Sequence, residues 1–465
     1  MSSERPVASR PAEAPADREV SHDRGRTAMF MRMWAVAHMI HLAAANHSRL
    51  DTPWNVAAFI MALALLLRPL DGRLLAGLAL AQLADMVVEM PISPDHWMLI
   101  SFVNLTLLVA MLVKRSFKAE AISSAFPAAR VVVLVAYAAA ALSKYNHNFV
   151  TAASSCATAI AEQASYGLSQ LVPVAGVFFL GSIIIESSIP LLLLWRRSRP
   201  YAVRLGLAFH FLLSVSPAFA VVDFTATLYA LFLLFLPPGE SRRVRQRIGD
   251  LAHRLDLVRR ASAHRVAAAC AALLVFGLLG YASVRVSSAL VFVASQAYLL
   301  CILVATVTTR PEPVERQPIG RVRVMFVPVI ALAVLWAANP YIGLRTAGVF
   351  TMFSGLRTEG QAPNHLFMPV VHLTSWQDDF VVIESSNDPA MAAAQGGRAG
   401  VPLLALRREA QANPDLVVVG TVNGQRQVFG PGPGQQHFAP LGFFEEKFAM
   451  LRPVAVSSQR YCNNT

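Results

Sequence analysis

Apolar runs of about 18 residues or more recur along the chain from Phe30 to Trp336, each long enough to cross about 30 Å of hydrocarbon as a helix. They are rich in Leu, Ala and Val and show no period-two alternation, which argues against a barrel. Lipid offers the backbone no hydrogen-bond partners, so such runs are expected to be helical. The pattern places about eleven spans, at 29–46, 53–70, 73–91, 96–113, 127–145, 172–195, 201–218, 220–237, 264–283, 287–307 and 322–339. The first and third are the least regular, because His38, His41, Asp85 and Glu89 interrupt them. The fold class expected is an all-α polytopic membrane bundle with a small, β-containing extramembrane domain at the C-terminal end.

Polar segments divide this pattern. Residues 1–28 are Arg-rich and lack the apolar core of a signal peptide, so they read as a disordered cytoplasmic tail. Residues 29–238 form a transmembrane core, 239–263 a basic cytoplasmic loop, and 264–339 additional membrane helices. Residues 340–465 read as a separate domain. There Val381-Val-Ile and Leu416-Val-Val-Val-Gly-Thr have the character of short strands, and Gly430-Pro-Gly-Pro-Gly that of a turn.

Composition agrees with a membrane protein: 55% of residues are hydrophobic and 15% charged, against about 25% charged in a soluble domain. The net charge of +12 does not mark a nucleic-acid binder, because the Arg residues lie mainly in short loops between apolar runs. Arg68, Arg73, Lys114, Arg115, Lys118, Arg196, Arg197, Arg199, Arg204, the arginines of 239–265 and Arg310 to Arg323 all fall on one side if the spans are real. That side is cytoplasmic by the positive-inside rule, which predicts a multi-pass inner-membrane protein with its C-terminal domain in the periplasm. Of the four cysteines, Cys156 and Cys462 fall on the oxidising side, and a disulfide between them is expected. Cys270 and Cys301 lie within spans. No Walker loop, dinucleotide fingerprint, H-E-x-x-H or G-x-S-x-G occurs.

Polar side chains inside an apolar bundle are costly and face its interior. Here Asn46, His47, His96, Lys144, Asn146 and His147 sit at the outer ends of their spans, with Glu186, His210 and Asp223 deeper. Lys144 admits two readings: a lysine snorkelling to the interface, or a desolvated base. Glu186 and His210 could pair only to hold helices together, and Asp223 could simply start a helix. His96 could pack beneath Trp97. His38 and His41 share a helix face, but a metal needs a third ligand, so a structural role is expected and no metal ligand is assigned.

The segment Ala140-Ala-Leu-Ser-Lys-Tyr-Asn-His-Asn-Phe resembles the region of the vitamin K-dependent γ-glutamyl carboxylase family that holds its catalytic lysine, with Lys144 at that position. Ile185-Glu-Ser-Ser-Ile-Pro-Leu-Leu-Leu-Leu-Trp and Ala208-Phe-His-Phe-Leu-Leu-Ser resemble its next two helices, with Glu186 and His210 at an acid and a histidine. Ser93-Pro-Asp-His-Trp-Met-Leu resembles a turn ending in a histidine, here His96. The order and rough spacing agree from Asp51 to Pro238, the extent of the HTTM (horizontally transferred transmembrane) domain. The resemblance implies that a lysine amine deprotonates a reduced quinone, which reacts with oxygen. The strong base so formed removes a γ-proton from a glutamate, and the carbanion, steadied by a histidine, adds carbon dioxide. It therefore implies catalytic roles for Lys144, His96 and His210, a pocket including Glu186, Asn146 and Trp97, and a reduced, lipid-soluble quinone as cofactor. The region after the core is shorter than in the carboxylases and shows no recognisable glutamate- or propeptide-binding module. Met352-Phe-Ser-Gly-Leu-Arg-Thr-Glu-Gly and Asn364-His-Leu resemble a segment of bacterial members, and read as a loop packing the C-terminal domain onto the bundle.

The function expected is thus a quinone-linked lyase- or oxidoreductase-type membrane enzyme with Lys144 as base. Its partners would be the lipid bilayer and a lipid-soluble quinone, with no nucleic acid. The alternatives are a non-catalytic anchor for a periplasmic binding domain, or a small-solute transporter.

Overall fold

The computed structural model describes residues 15–44, 52–151, 153–164, 175–215, 221–254, 284–312, 320–360 and 363–456. The apolar runs read as spans are helical where they fall within these residues. The helices are α1 (Pro15–Ala44), α2 (Pro53–Leu67), α3 (Gly72–Glu89), α4 (Asp95–Lys114), α5 (Ala119–Ser123), α6 (Phe126–Ser143), α7 (Cys156–Ala164), α8 (Ala175–Leu194), α9 (Arg199–Ser214), α10 (Val222–Phe232), α11 (Pro238–Arg254), α12 (Val284–Val307) and α13 (Val327–Ala338). Local chemistry sets several starts. Thr52 caps α2 by accepting from the Asn55 amide at 3.1 Å, with Pro53 following, and Asp71 caps α3 through the Arg73 amide at 3.0 Å.

Among the described residues, four segments are long and apolar enough to cross a membrane: Asp95–Lys114, Ala119–Ser143, Val177–Leu194 and Ala289–Val307. Pro53–Leu67, Val222–Phe235 and Val324–Ala338 are apolar but shorter. The span expected at 264–283 lies outside the described residues, as do Asn46, His47 and Cys270. Two sequence expectations are corrected. The supposed tail is helical from Pro15, and Thr27 is already buried. The supposed basic loop is helical over Pro238–Arg254, with Glu240 buried against Arg204 at 2.7 Å.

Neighbouring helices close a ring in the order α1, α2, α3, α4, α6, α8, α9, α10 and back to α1, with α12 packed on α9 and α13 on α6. The apolar stretch of α4 is 72% buried and that of α8 only 17%, so α4 is central while α8 turns Val177, Leu180, Ile184 and Leu191 outward. Such an apolar outer face suits lipid. Of the polar residues that made the first and third spans irregular, His38, His41 and Asp85 are buried, within a network of inward polar side chains. Trp34 Nε1 donates to Asn104 Oδ1 at 2.9 Å, Asn104 Nδ2 to Gln82 Oε1 at 3.0 Å, and Gln82 Nε2 to Ser101 Oγ at 2.8 Å. Asp85 accepts from Thr52 and Trp97 at 3.1 and 3.2 Å.

The basic loops gather at one end. There Arg26 and Arg130 donate to the Leu234 carbonyl, Arg204 to that of Thr309, and Arg24 faces Glu120. Beyond α13 the chain crosses the opposite end and enters a five-stranded antiparallel sheet of order β4-β3-β1-β2-β5. The strands are β1 (Phe380–Ser386), β2 (Ala399–Pro402), β3 (Val418–Val422), β4 (Gln425–Phe429) and β5 (Val454–Ala455), accompanied by α14 (Leu403–Ala412) and α15 (Phe443–Lys447). Both strands expected from the sequence lie in this sheet. Val381, Ile383, Val401, Leu406, Val418 and Phe429 form its core, as period-two alternation on β3 requires.

Candidate functional site

Lys144 follows the last turn of α6 at the end opposite the basic loops. Its Nζ donates to Glu186 Oε2 of α8 at 2.7 Å and to the carbonyls of Met352 and Ala140 at 3.3 and 3.4 Å. The two side chains are 5% and 13% exposed, so the lysine does not snorkel outward. Ser182, one turn before Glu186 on α8, donates to Glu186 Oε1 at 2.6 Å and fixes the carboxylate.

Glu186 lines a cavity of about 30 Å³ together with Asp95, Tyr137, His210, Phe224, Phe350 and Met352, among others. That volume holds about two water molecules. Inside it the Tyr137 hydroxyl meets His210 Nε2. His210 Nδ1 is buried with no hydrogen-bond partner among the described residues, a condition that calls for a water or a ligand group.

Phe350 and Met352, where the loop enters the motif, line this cavity, a role the sequence did not announce. The loop turns through left-handed residues at Gly348, Phe350, Phe353 and Gly355. For phenylalanine this conformation costs about 1–2 kcal/mol, so the surroundings must impose it. The Phe350 amide donates to Asp95 Oδ1. Arg345, buried, donates to the carbonyls of Pro91, Ala347 and Phe448 and to Ser93 Oγ, and lies over the Trp336 ring. Burial holds its guanidinium below the usual arginine range, against the opposing pull of Asp95.

Asn146, expected in the pocket, is instead a staple between α6 and this loop. It donates to the carbonyls of Ser143 and Ser354 at 2.7 and 2.8 Å and accepts from Asn364 at 3.3 Å. Next to it, the Leu366 amide donates to Tyr145 O at 2.9 Å and the His147 amide to Asn364 O at 3.0 Å. The 364–366 segment thus docks onto the bundle in the way expected of it.

His96 does not line the cavity either. It belongs to a second group on the far side of Phe224, whose ring centroid is 6.1 Å from that of His96 and 5.4 Å from that of His210. Asp223 Oδ2 lies 2.8 Å from both His41 Nδ1 and His96 Nε2, and the two nitrogens are 2.9 Å apart. His41 therefore finds the partners that its helix face alone could not supply, and these three ligand atoms lie close enough together to hold one ion, a set the sequence did not suggest. His38 faces elsewhere, with Nδ1 2.8 Å from Trp34 O. Asp223 is also a helix-start residue, its Oδ1 accepting from the Phe224 amide at 2.7 Å. Trp97 is buried beneath the group, stacked on His41 at 3.9 Å and 21°, and is not a pocket wall.

The sequence missed Tyr137, Phe224, Phe350 and the partnership of His41 with Asp223. Only the inward polar residues signalled any of this. Cys156 is disulfide-bonded; Cys462, its expected partner, lies outside the described residues. No protein-family model, no curated protein and no solved structure matches this chain.

Proposed function

We propose that the chain is a multi-pass inner-membrane enzyme of the carboxylase-like type, in which Lys144, partnered by Glu186, takes a proton from a hydroquinone-like, lipid-soluble substrate. The observation that carries this reading is the buried contact of 2.7 Å between Lys144 Nζ and Glu186 Oε2, across which the lysine hands its extra proton to the carboxylate and becomes the free amine that accepts the substrate's proton, with Glu186, Tyr137 and His210 on one cavity. A base must be shielded from bulk water yet placed against the proton it abstracts. His210 Nδ1, left without a partner among the described residues, offers a polar contact for a bound ring oxygen.

A bicyclic quinone is larger than about 30 Å³, so in this proposal the cavity widens on binding. In this proposal about eleven helices cross the bilayer. The Arg-rich end is cytoplasmic, and the site and sheet domain lie toward the periplasm. The four landmarks that resemble the HTTM domain support the assignment, with His96 now removed from the cavity itself.

The test is oxygen uptake by a naphthohydroquinone in detergent, with and without the purified full chain, together with mass spectrometry of co-purifying lipids. The expected results are faster uptake with the parent, none above background with Lys144→Arg, and a bound quinone in the extract. Parent-like uptake by Lys144→Arg, which keeps the charge but cannot give up its proton in a protein, would remove lysine as the base.

A further inference from the structure

His41 near the C-terminal end of α1, His96 in the first turn of α4 and Asp223 in the first turn of α10 bring three ligand atoms into mutual contact. The sides of the triangle are 2.8, 2.8 and 2.9 Å. Protons alone do not account for it. Each ring nitrogen has one in-plane direction, carrying either a hydrogen or a lone pair, and one direction serves one side of a triangle. Two hydrogen bonds can therefore form at most, and the third side brings two polar atoms together with nothing between them. A cation on the axis of the triangle satisfies all three at once.

We propose that His41, His96 and Asp223 form a binding site for a divalent first-row transition-metal ion, with the three ligands on one face of an octahedron. At a ligand distance of about 2.1 Å, sides of 2.8 to 2.9 Å subtend about 86° at the ion. A tetrahedral zinc site at the same bond length needs ligand atoms about 3.4 Å apart. Two imidazoles and one carboxylate disposed facially leave open positions and suit ions that favour six-coordination, Fe(II) foremost.

The surroundings are built to hold such a set. The Phe224 amide fixes Asp223 Oδ1 at 2.7 Å and leaves Oδ2 for the ion. Trp97 stacks on His41 and fixes its ring plane. Exposure of the side chains rises from 1% for His41 and 5% for Asp223 to 12% for His96, so the ion enters past His96. The site does not depend on the reading of Lys144 as a base, from which it is separated by Phe224.

The test is Co(II) titration of the detergent-purified full chain after chelator treatment. The parent should take up one equivalent, with the weak visible bands of six-coordinate Co(II). His96→Gln and Asp223→Asn should each weaken binding at least tenfold, while His38→Gln, three residues from His41, keeps it. No stoichiometric uptake by the parent, intense tetrahedral bands, or unchanged binding in both ligand variants would overturn the proposal. Should those variants misfold, pulsed EPR of the Cu(II)-loaded parent counts coordinated imidazoles directly. Two are expected, and fewer than two defeats the assignment.

Discussion

Replacing Lys144 by Met keeps most of the stem but strands Glu186. The contact is 2.7 Å and its members are 5% and 13% exposed. At an effective dielectric of about 20 the gross attraction is about 6 kcal/mol, much of it offset by the desolvation of both charges. What the variant loses is the compensation of a buried carboxylate, typically about 3–5 kcal/mol. The longer contacts of Nζ with Ala140 O and Met352 O at 3.4 and 3.3 Å add little. Lys144→Met should therefore unfold several degrees below the parent when followed by tryptophan fluorescence in detergent micelles. Lys144→Arg, which retains the charge pair, should lose less than half as much. The double variant Lys144→Met with Glu186→Gln should recover most of the loss, because a glutamine there still accepts from Ser182 and carries no charge. The double-mutant cycle should give a coupling of at least about 2 kcal/mol. If Lys144→Met melts with the parent, or the double variant is no better than the single one, the pair is not the buried, coupled unit argued for, and its use as a proton acceptor loses its structural basis.

Two further outcomes can be checked. At Gly348, φ is +68° and an added Cβ would sit 2.2 Å from the Ser93 carbonyl oxygen, so Gly348→Ala should displace the loop that carries Phe350 and Met352. Limited proteolysis should then cut near residue 350 in the variant and not in the parent, and equal resistance would show that the loop is not pinned there. Peptide mapping of unreduced, alkylated protein should recover Cys156 linked to Cys462; Cys156 joined to any other cysteine would refute that pairing.

What the sequence determined by itself was short-range. Run length and apolar content specify where helices form, because lipid or a dry core forbids unpaired backbone. Arg placement specifies which helix ends lie together, and the short β-branched runs at Val381 and Leu416 mark two strands of the sheet. The sequence also marked Lys144, Glu186 and His210, since polar residues inside apolar helices must turn inward. It did not say which of them meet, because periodicity fixes a helix face but not the neighbour that face will find. Closure of the helix ring decided that Lys144 meets Glu186 and that His210 meets Tyr137. Helix rotation separated His41 from His38, although three positions apart they share a face, and only the packing of α1, α4 and α10 at one end gave His41 the company of His96 and Asp223. The loop after Gly348 became a cavity wall for a similar reason. Its left-handed turns and the buried Arg345 act through partners far away in sequence, Pro91, Ser93 and Asp95, which only the folded chain brings within hydrogen-bond reach.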